Sequence, residues 1–202
     1  MGERSLRDTI GVAVATVTVG VGLIITLAAF GVASGTAALH PRHAPSGQDL
    51  DMKTTDFQNV HTMTMVRGFF VDNRLGHLKA ALRVARAGKG VYPVGTILQL
   101  VPQEAMVKRR KGFNPATRDW EFFFLRTTPQ GTTIVTRGTT TVVNRFGGNC
   151  ASCHVAAQAK FDMVCEHNHG CAPLPVGDDV IAAIQRADPR PLPTSPTTPP
   201  TR

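Results

Sequence analysis

The chain has 202 residues, of which 42% are hydrophobic and 18% charged, so one compact domain with extensions is expected and a wholly disordered protein is excluded. Twenty-two Lys and Arg against fourteen Asp and Glu give a formal charge of +8, yet one Trp, one Tyr and ten Phe leave few groups to stack on bases, and nucleic acid is not expected as a partner. Four Cys are too few for a disulfide-built miniprotein, and all fall between Cys150 and Cys171, so their chemistry is local and shared.

From Thr9 to Leu39 no residue is charged, and Arg4 and Arg7 stand in the head before this stretch. Ile10 to Val32 reaches the length of about 20 residues that spans a bilayer, beyond the roughly 7–15 apolar residues of a secretory signal. The expectation is an uncleaved N-terminal transmembrane helix within residues 1–39. A long cleaved signal peptide is the alternative, because Ala33, Ser34, Ala37 and Ala38 suit a peptidase. Residues 40–48, with two prolines and a glycine, read as a linker, and residues 49–187 as the folded domain. In residues 188–202 the prolines remove donors and almost nothing apolar is left to bury, which predicts a disordered or polyproline-like tail.

Within the domain, Thr62 to Phe69 alternates in type, and a strand there would place His61, Met63, Met65, Arg67 and Phe69 on one face. Asp72 or Asn73 can cap a following helix in which Leu75, Leu78, Leu82 and Ala85 recur at helical spacing before Gly88 and Gly90 stop it. Val94 to Val101 reads as a strand. Trp120 to Thr127 turns through Pro129-Gln130-Gly131 into Thr132 to Thr136, the clearest hairpin, and Thr139 to Asn144 can add another strand. Strands in a run, with one packed helix, predict an α+β fold with a mainly antiparallel β-sheet.

Cys150-Ala151-Ser152-Cys153-His154 is C-x-x-C-H, the covalent attachment signature of c-type haem. Two thiols at this spacing can add to the two vinyl groups of one porphyrin, and the adjacent His154 then falls under the iron as axial ligand. The predicted cofactor is covalent haem c, bound by Cys150, Cys153 and His154, with His154 as the metal ligand. Such haem is attached outside the cytoplasmic membrane, so the domain is expected on the periplasmic or extracytoplasmic side of a single-pass membrane protein. Two other readings stay open. A zinc knuckle can use Cys150, Cys153, Cys165 and Cys171, with His167 or His169; a redox disulfide can use Cys150 and Cys153 alone. Neither needs His154 where it is, and an oxidising compartment counts against free zinc thiolates.

Cys165 and Cys171 remain as a pair, and the loop from Glu166 to Gly170 is long enough for a disulfide to close it. His167 and His169 in that loop are expected to be solvated rather than ligands. Met163 is expected in core or haem-edge packing rather than as a sixth ligand.

The order of these features resembles the cytochrome P-460 family and its relatives, the cytochromes c′-beta, over about Thr62 to Val176. The resemblance is carried by Val66-Arg67 on an early strand, a helix, Pro93-Val94-Gly95-Thr96, a Glu-Ala-x-Val-Lys segment at Glu104 to Lys108, Trp120 and the late C-x-x-C-H. It implies a monohaem c-type protein, often homodimeric, whose five-coordinate iron binds small nitrogen species on its open face. It also implies an arginine and an acid on that face, at Arg67 and Glu104, with Phe69 and Met63 as pocket walls or simply core. In the hydroxylamine-oxidising branch a lysine is tied to the porphyrin, and Leu100 stands at that position here. No cross-link is therefore expected, and the likeness is to the c′-beta branch.

The expected activity is binding or conversion of a small ligand such as nitric oxide, as an oxidoreductase on small nitrogen compounds if a reaction follows. Arg67 would donate hydrogen bonds and Glu104 would move protons. The plainer reading of these two is a buried ion pair that fixes the fold. The alternative function is an electron carrier with a closed iron, whose run Lys108-Arg109-Arg110-Lys111 docks an acidic redox partner protein or is simply solvated.

Overall fold

The computed structural model describes residues 50–193; the anchor expected over 1–39 and the linker expected over 40–48 lie outside them. Strands β1 (Thr64–Val66), β2 (Phe69–Asn73), β3 (Thr96–Gln99), β4 (Glu104–Lys108), β5 (Trp120–Thr128) and β6 (Gly131–Gly138) form one sheet in chain order. Every neighbouring pair is antiparallel. Helix α1 (Leu78–Ala87) connects β2 to β3, while α2 (Cys150–His154) and α3 (Asp178–Arg186) follow the sheet. This is the α+β, mainly antiparallel arrangement that the run of strands predicts. Among the described residues no helix is long and apolar enough to cross a membrane.

Side chains on a strand alternate in direction, so β3, β4 and β5 each contribute to two cores. One face carries Val71, Leu98, Met106, Trp120 and Phe122, and it is covered by Ala81 and Ala85 of α1 and by Cys150 and Ala151 of α2. The other carries Ile97, Val107, Phe123 and Leu125 under Met52 and Phe57. There Phe57 meets Phe123 at 4.9 Å between ring centroids. Each fully buried phenylalanine of this kind contributes about 1.5–3 kcal/mol of transfer free energy.

The β5–β6 hairpin closes as expected, with Thr128 opposite Gly131. The first strand does not run from Thr62 to Phe69. Arg67 (φ 45°) and Gly68 (φ 96°) are both left-handed and form a two-residue turn between Val66 and its partner Phe69. The reversal separates the residues that alternation put on one face: Phe69 packs in the core with Cys150, and Met63 packs against the opposite one. Leu75 precedes α1 and is exposed, while Asn73 Oδ1 accepts from the backbone N–H groups of Leu75 and His77, both at 2.9 Å. Gly88, at φ 64°, ends the helix as expected.

Two further expectations are corrected. Thr139 to Asn144 adds no strand, only a bridge between Val143 and Asn149, because Asn144 Oδ1 accepts from Phe146 N at 3.0 Å and Gly148 N at 2.8 Å and turns the chain toward α2. The tail does not begin at Asp188. Arg190 is buried and donates to Phe57 O at 2.9 Å, and Asp188 accepts from Val60 N at 2.8 Å, so the domain reaches at least Arg190.

Candidate functional site

The C-x-x-C-H segment is α2 itself, a helix of five residues. Its start is fixed by two bonds: Asn149 Oδ1 accepts from Ser152 N at 2.9 Å, and Cys150 N donates to Val142 O at 3.0 Å. Positions three and four apart share one side of a helix, so Cys150, Cys153 and His154 are presented together. Neither sulfur belongs to the disulfide; Cys150 is buried and Cys153 half-buried. Burial, and then the Glu104 carboxylate, push the Cys150 thiol up to about 11, so it is held neutral.

His154 is half-buried, with its ring 5.2 Å from that of Phe122. Its Nδ1 lies 2.6 Å from the Met163 carbonyl oxygen. A carbonyl only accepts, so Nδ1 carries the proton and Nε2 keeps its lone pair. No partner to Nε2 is present among the described residues. Burial lowers the imidazole's pKa, which favours this neutral, ligand-competent form. The turn therefore offers two sulfurs for covalent links and one nitrogen for a metal. Leu78, Leu82, Leu100 and Phe124 are half-buried against the same core as Cys150.

Glu104 lies on this side of the sheet, half-buried, with Oε1 accepting from Arg145 N at 3.0 Å. Burial raises its pKa against the pull of that hydrogen bond. Arg67 is elsewhere engaged. From the β1–β2 turn it makes two 2.7 Å bonds to the Glu166 carboxylate, and it donates to the carbonyls of Ala85 (2.6 Å) and Arg86 (3.2 Å) at the end of α1. The ion pair expected between Arg67 and Glu104 is not formed.

Cys165 and Cys171 form the expected disulfide. That removes two of the four sulfurs a zinc knuckle needs, and among the described residues no three His, Cys, Asp or Glu side chains converge on a metal position. The loop it closes packs beside α2, with Cys165 Sγ 3.8 Å from Cys153 O. Gly170 (φ 105°) makes this approach, since a Cβ there would stand 2.7 Å from Ala156 O. His167 is exposed, 3.7 Å from Asp178. His169 is not solvated: it stacks on Phe161 at 3.6 Å and its Nδ1 donates to Val164 O at 2.7 Å. Met163 is core, as expected.

The basic run is not a uniform solvated face either. Lys108 is buried against Asp162 at 2.7 Å and Arg109 is buried beside Glu121 at 3.3 Å, while Arg110 and Lys111 are exposed. Asp162 and Glu166 escape sequence reasoning because their partners lie 54 and 99 residues away, and no local pattern marks such pairs. Surface hollows of about 240 and 400 Å³ lie away from α2, around the Arg74–Asp56 ion pair. Comparison of the chain with family models, curated proteins and solved structures returns no match, so the functional reading rests on its own residues.

Proposed function

We propose that the domain is a monohaem c-type haem protein on the extracytoplasmic side of a membrane, binding a small nitrogen-containing ligand such as nitric oxide at a five-coordinate iron. The observation that carries this reading is the α2 turn: two cysteine sulfurs outside the disulfide, and an imidazole whose Nδ1 is committed to Met163 O, leaving Nε2 free. Each thiol would add its S–H across one porphyrin vinyl group, a step with no net change in oxidation state. When bound, the haem supplies an iron whose sixth position accepts a diatomic.

The chain's own groups do the rest. His154 Nε2, with Nδ1 held by Met163 O, would be the nitrogen that holds the metal. Phe122, its ring 5.2 Å from that of His154, would help hold the imidazole in place, and Leu100, which by the resemblance stands where a cross-linking lysine would be, has no nucleophile to add a third link to a bound porphyrin. Glu104 would be the acid that holds or releases a proton beside a bound ligand: burial raises its pKa, and its charge is felt by the Cys150 thiol. Arg67, with its donors spent on Glu166 and α1, supports the site through the fold.

The test is titration of the reduced, matured protein with carbon monoxide and nitric oxide. A spectral shift with saturation is expected. A spectrum unmoved by either gas would replace the open site with a closed electron carrier.

A further inference from the structure

Asp162 and Met163 follow the 3₁₀ turn Ala159–Phe161 at φ 50° and 65°, consecutive left-handed positions that are uncommon for residues other than glycine and unfavourable for methionine. Charge is buried at the same turn. Lys108 and Asp162 are 7% and 3% exposed, and burying an ion pair carries a desolvation penalty that an apolar pair would not. Strain and buried charge thus fall together on Asp162 and Met163, the second of which carries the carbonyl that holds His154.

Strands β4 and β5 and the segment at Tyr92 converge on Asp162. Lys108 Nζ of β4 contacts its two carboxylate oxygens at 2.7 and 2.9 Å, and Tyr92 N donates to Oδ2 at 2.9 Å. Trp120 Nε1 of β5 donates to the Asp162 carbonyl at 2.7 Å. Lys108 also donates to Arg118 O at 2.7 Å and lies 5.0 Å from the Trp120 ring centre. The sheet therefore grips the peptide next to Met163, whose oxygen is 2.6 Å from His154 Nδ1.

We infer that Asp162, clamped by Lys108 and Trp120, is a positioning residue that holds the Met163 carbonyl on His154 and so sets the imidazole's tautomer, orientation and donor strength. The consequence for the iron rests on the haem reading above. A backbone acceptor on Nδ1–H raises the basicity of Nε2, which strengthens the iron–imidazole bond and favours the oxidised metal.

The experiment uses full-length, matured protein and three variants: Trp120→Phe, Lys108→Met with Asp162→Asn, and Lys108→Arg. The double substitution removes both charges and strands neither. In the first two, haem content stays at the wild-type level, the reduction potential rises and the iron–imidazole stretching frequency falls; Lys108→Arg stays closer to wild type in both. Haem-loaded variants with wild-type potential and stretching frequency would reduce the network to a structural role and overturn the inference. If the double variant does not fold, Trp120→Phe, which deletes a single donor, decides by the same two readouts. If wild-type protein carries no haem, the cofactor reading fails by itself. The positioning claim is then read by ¹⁵N NMR of His154: a single Nδ1–H tautomer in wild type that becomes mixed in Trp120→Phe supports it, and an unchanged tautomer overturns it.

Discussion

Burial holds the Glu104 carboxyl above its ordinary value, and the sign of its effect on folding follows. A carboxyl raised in the folded state favours folding fully below its unfolded value of about 4.3, and that contribution is lost as pH rises through the folded value. Glu104→Gln keeps an acceptor for Arg145 N and removes the charge. Its stability relative to wild type should therefore be greater at pH 7 than at pH 4 in urea unfolding; an equal difference at the two pH values would refute the assignment. Arg67 behaves differently, being a half-exposed partner of Glu166. Arg67→Ala should cost about 1 kcal/mol, within the range of exposed pairs, and a double-mutant cycle with Glu166→Ala should recover most of it as coupling. In the haem-loaded protein, nitric oxide affinity should respond to Glu104→Gln and not to Arg67→Ala, as read by gas titration.

Among the elements, α2 depends most on its start, since five residues contain little helical hydrogen bonding of their own. Asn149→Ala should cost about 1 kcal/mol of stability in thermal or denaturant unfolding, because Ser152 N then loses its acceptor. Loss of less than a few tenths would mean the helix is held by packing alone. How much of this was legible in the sequence follows from how local each interaction is. The C-x-x-C-H turn is local, the Cys165–Cys171 bridge closes a short loop, and the β5–β6 hairpin has its turn residues between two apolar runs. The Arg67-Gly68 turn is hidden because alternation continues through it and arginine is not a residue that announces a left-handed position. Strand β4 hides because Ala105, Met106 and Val107 are all buried, so neither face shows a polar alternation. The Asp162 clamp joins β4, β5 and the loop after α2, and no pattern along the chain connects them.

For the whole molecule, the C-terminal boundary is a claim about stability. Asp188 and Arg190 have side chains 0% and 2% exposed and tie the end of the domain to Phe57, Val60 and Thr132. Burial pushes the Asp188 pKa up, but the hydrogen bonds from Arg190 and Val60 outweigh it and leave it lowered. Its stabilisation is then present above the ordinary carboxyl range and lost as pH falls through the lowered value. Asp188→Asn leaves Arg190 buried and uncompensated, which should cost about 3–5 kcal/mol at neutral pH by denaturant unfolding and less in strong acid. A variant as stable as wild type at pH 7 would return residues 188–190 to the tail.

The central claim is chemical, that the α2 turn carries a porphyrin through Cys150 and Cys153 under His154. It is tested most directly by the reduced pyridine haemochrome spectrum of purified protein made with c-type maturation machinery, recorded after denaturation and acid–acetone extraction. The account predicts a two-thioether haem spectrum that stays with the polypeptide, with both thiols closed to alkylation. Colourless protein in which Cys150 and Cys153 both take up the alkylating reagent would contradict it.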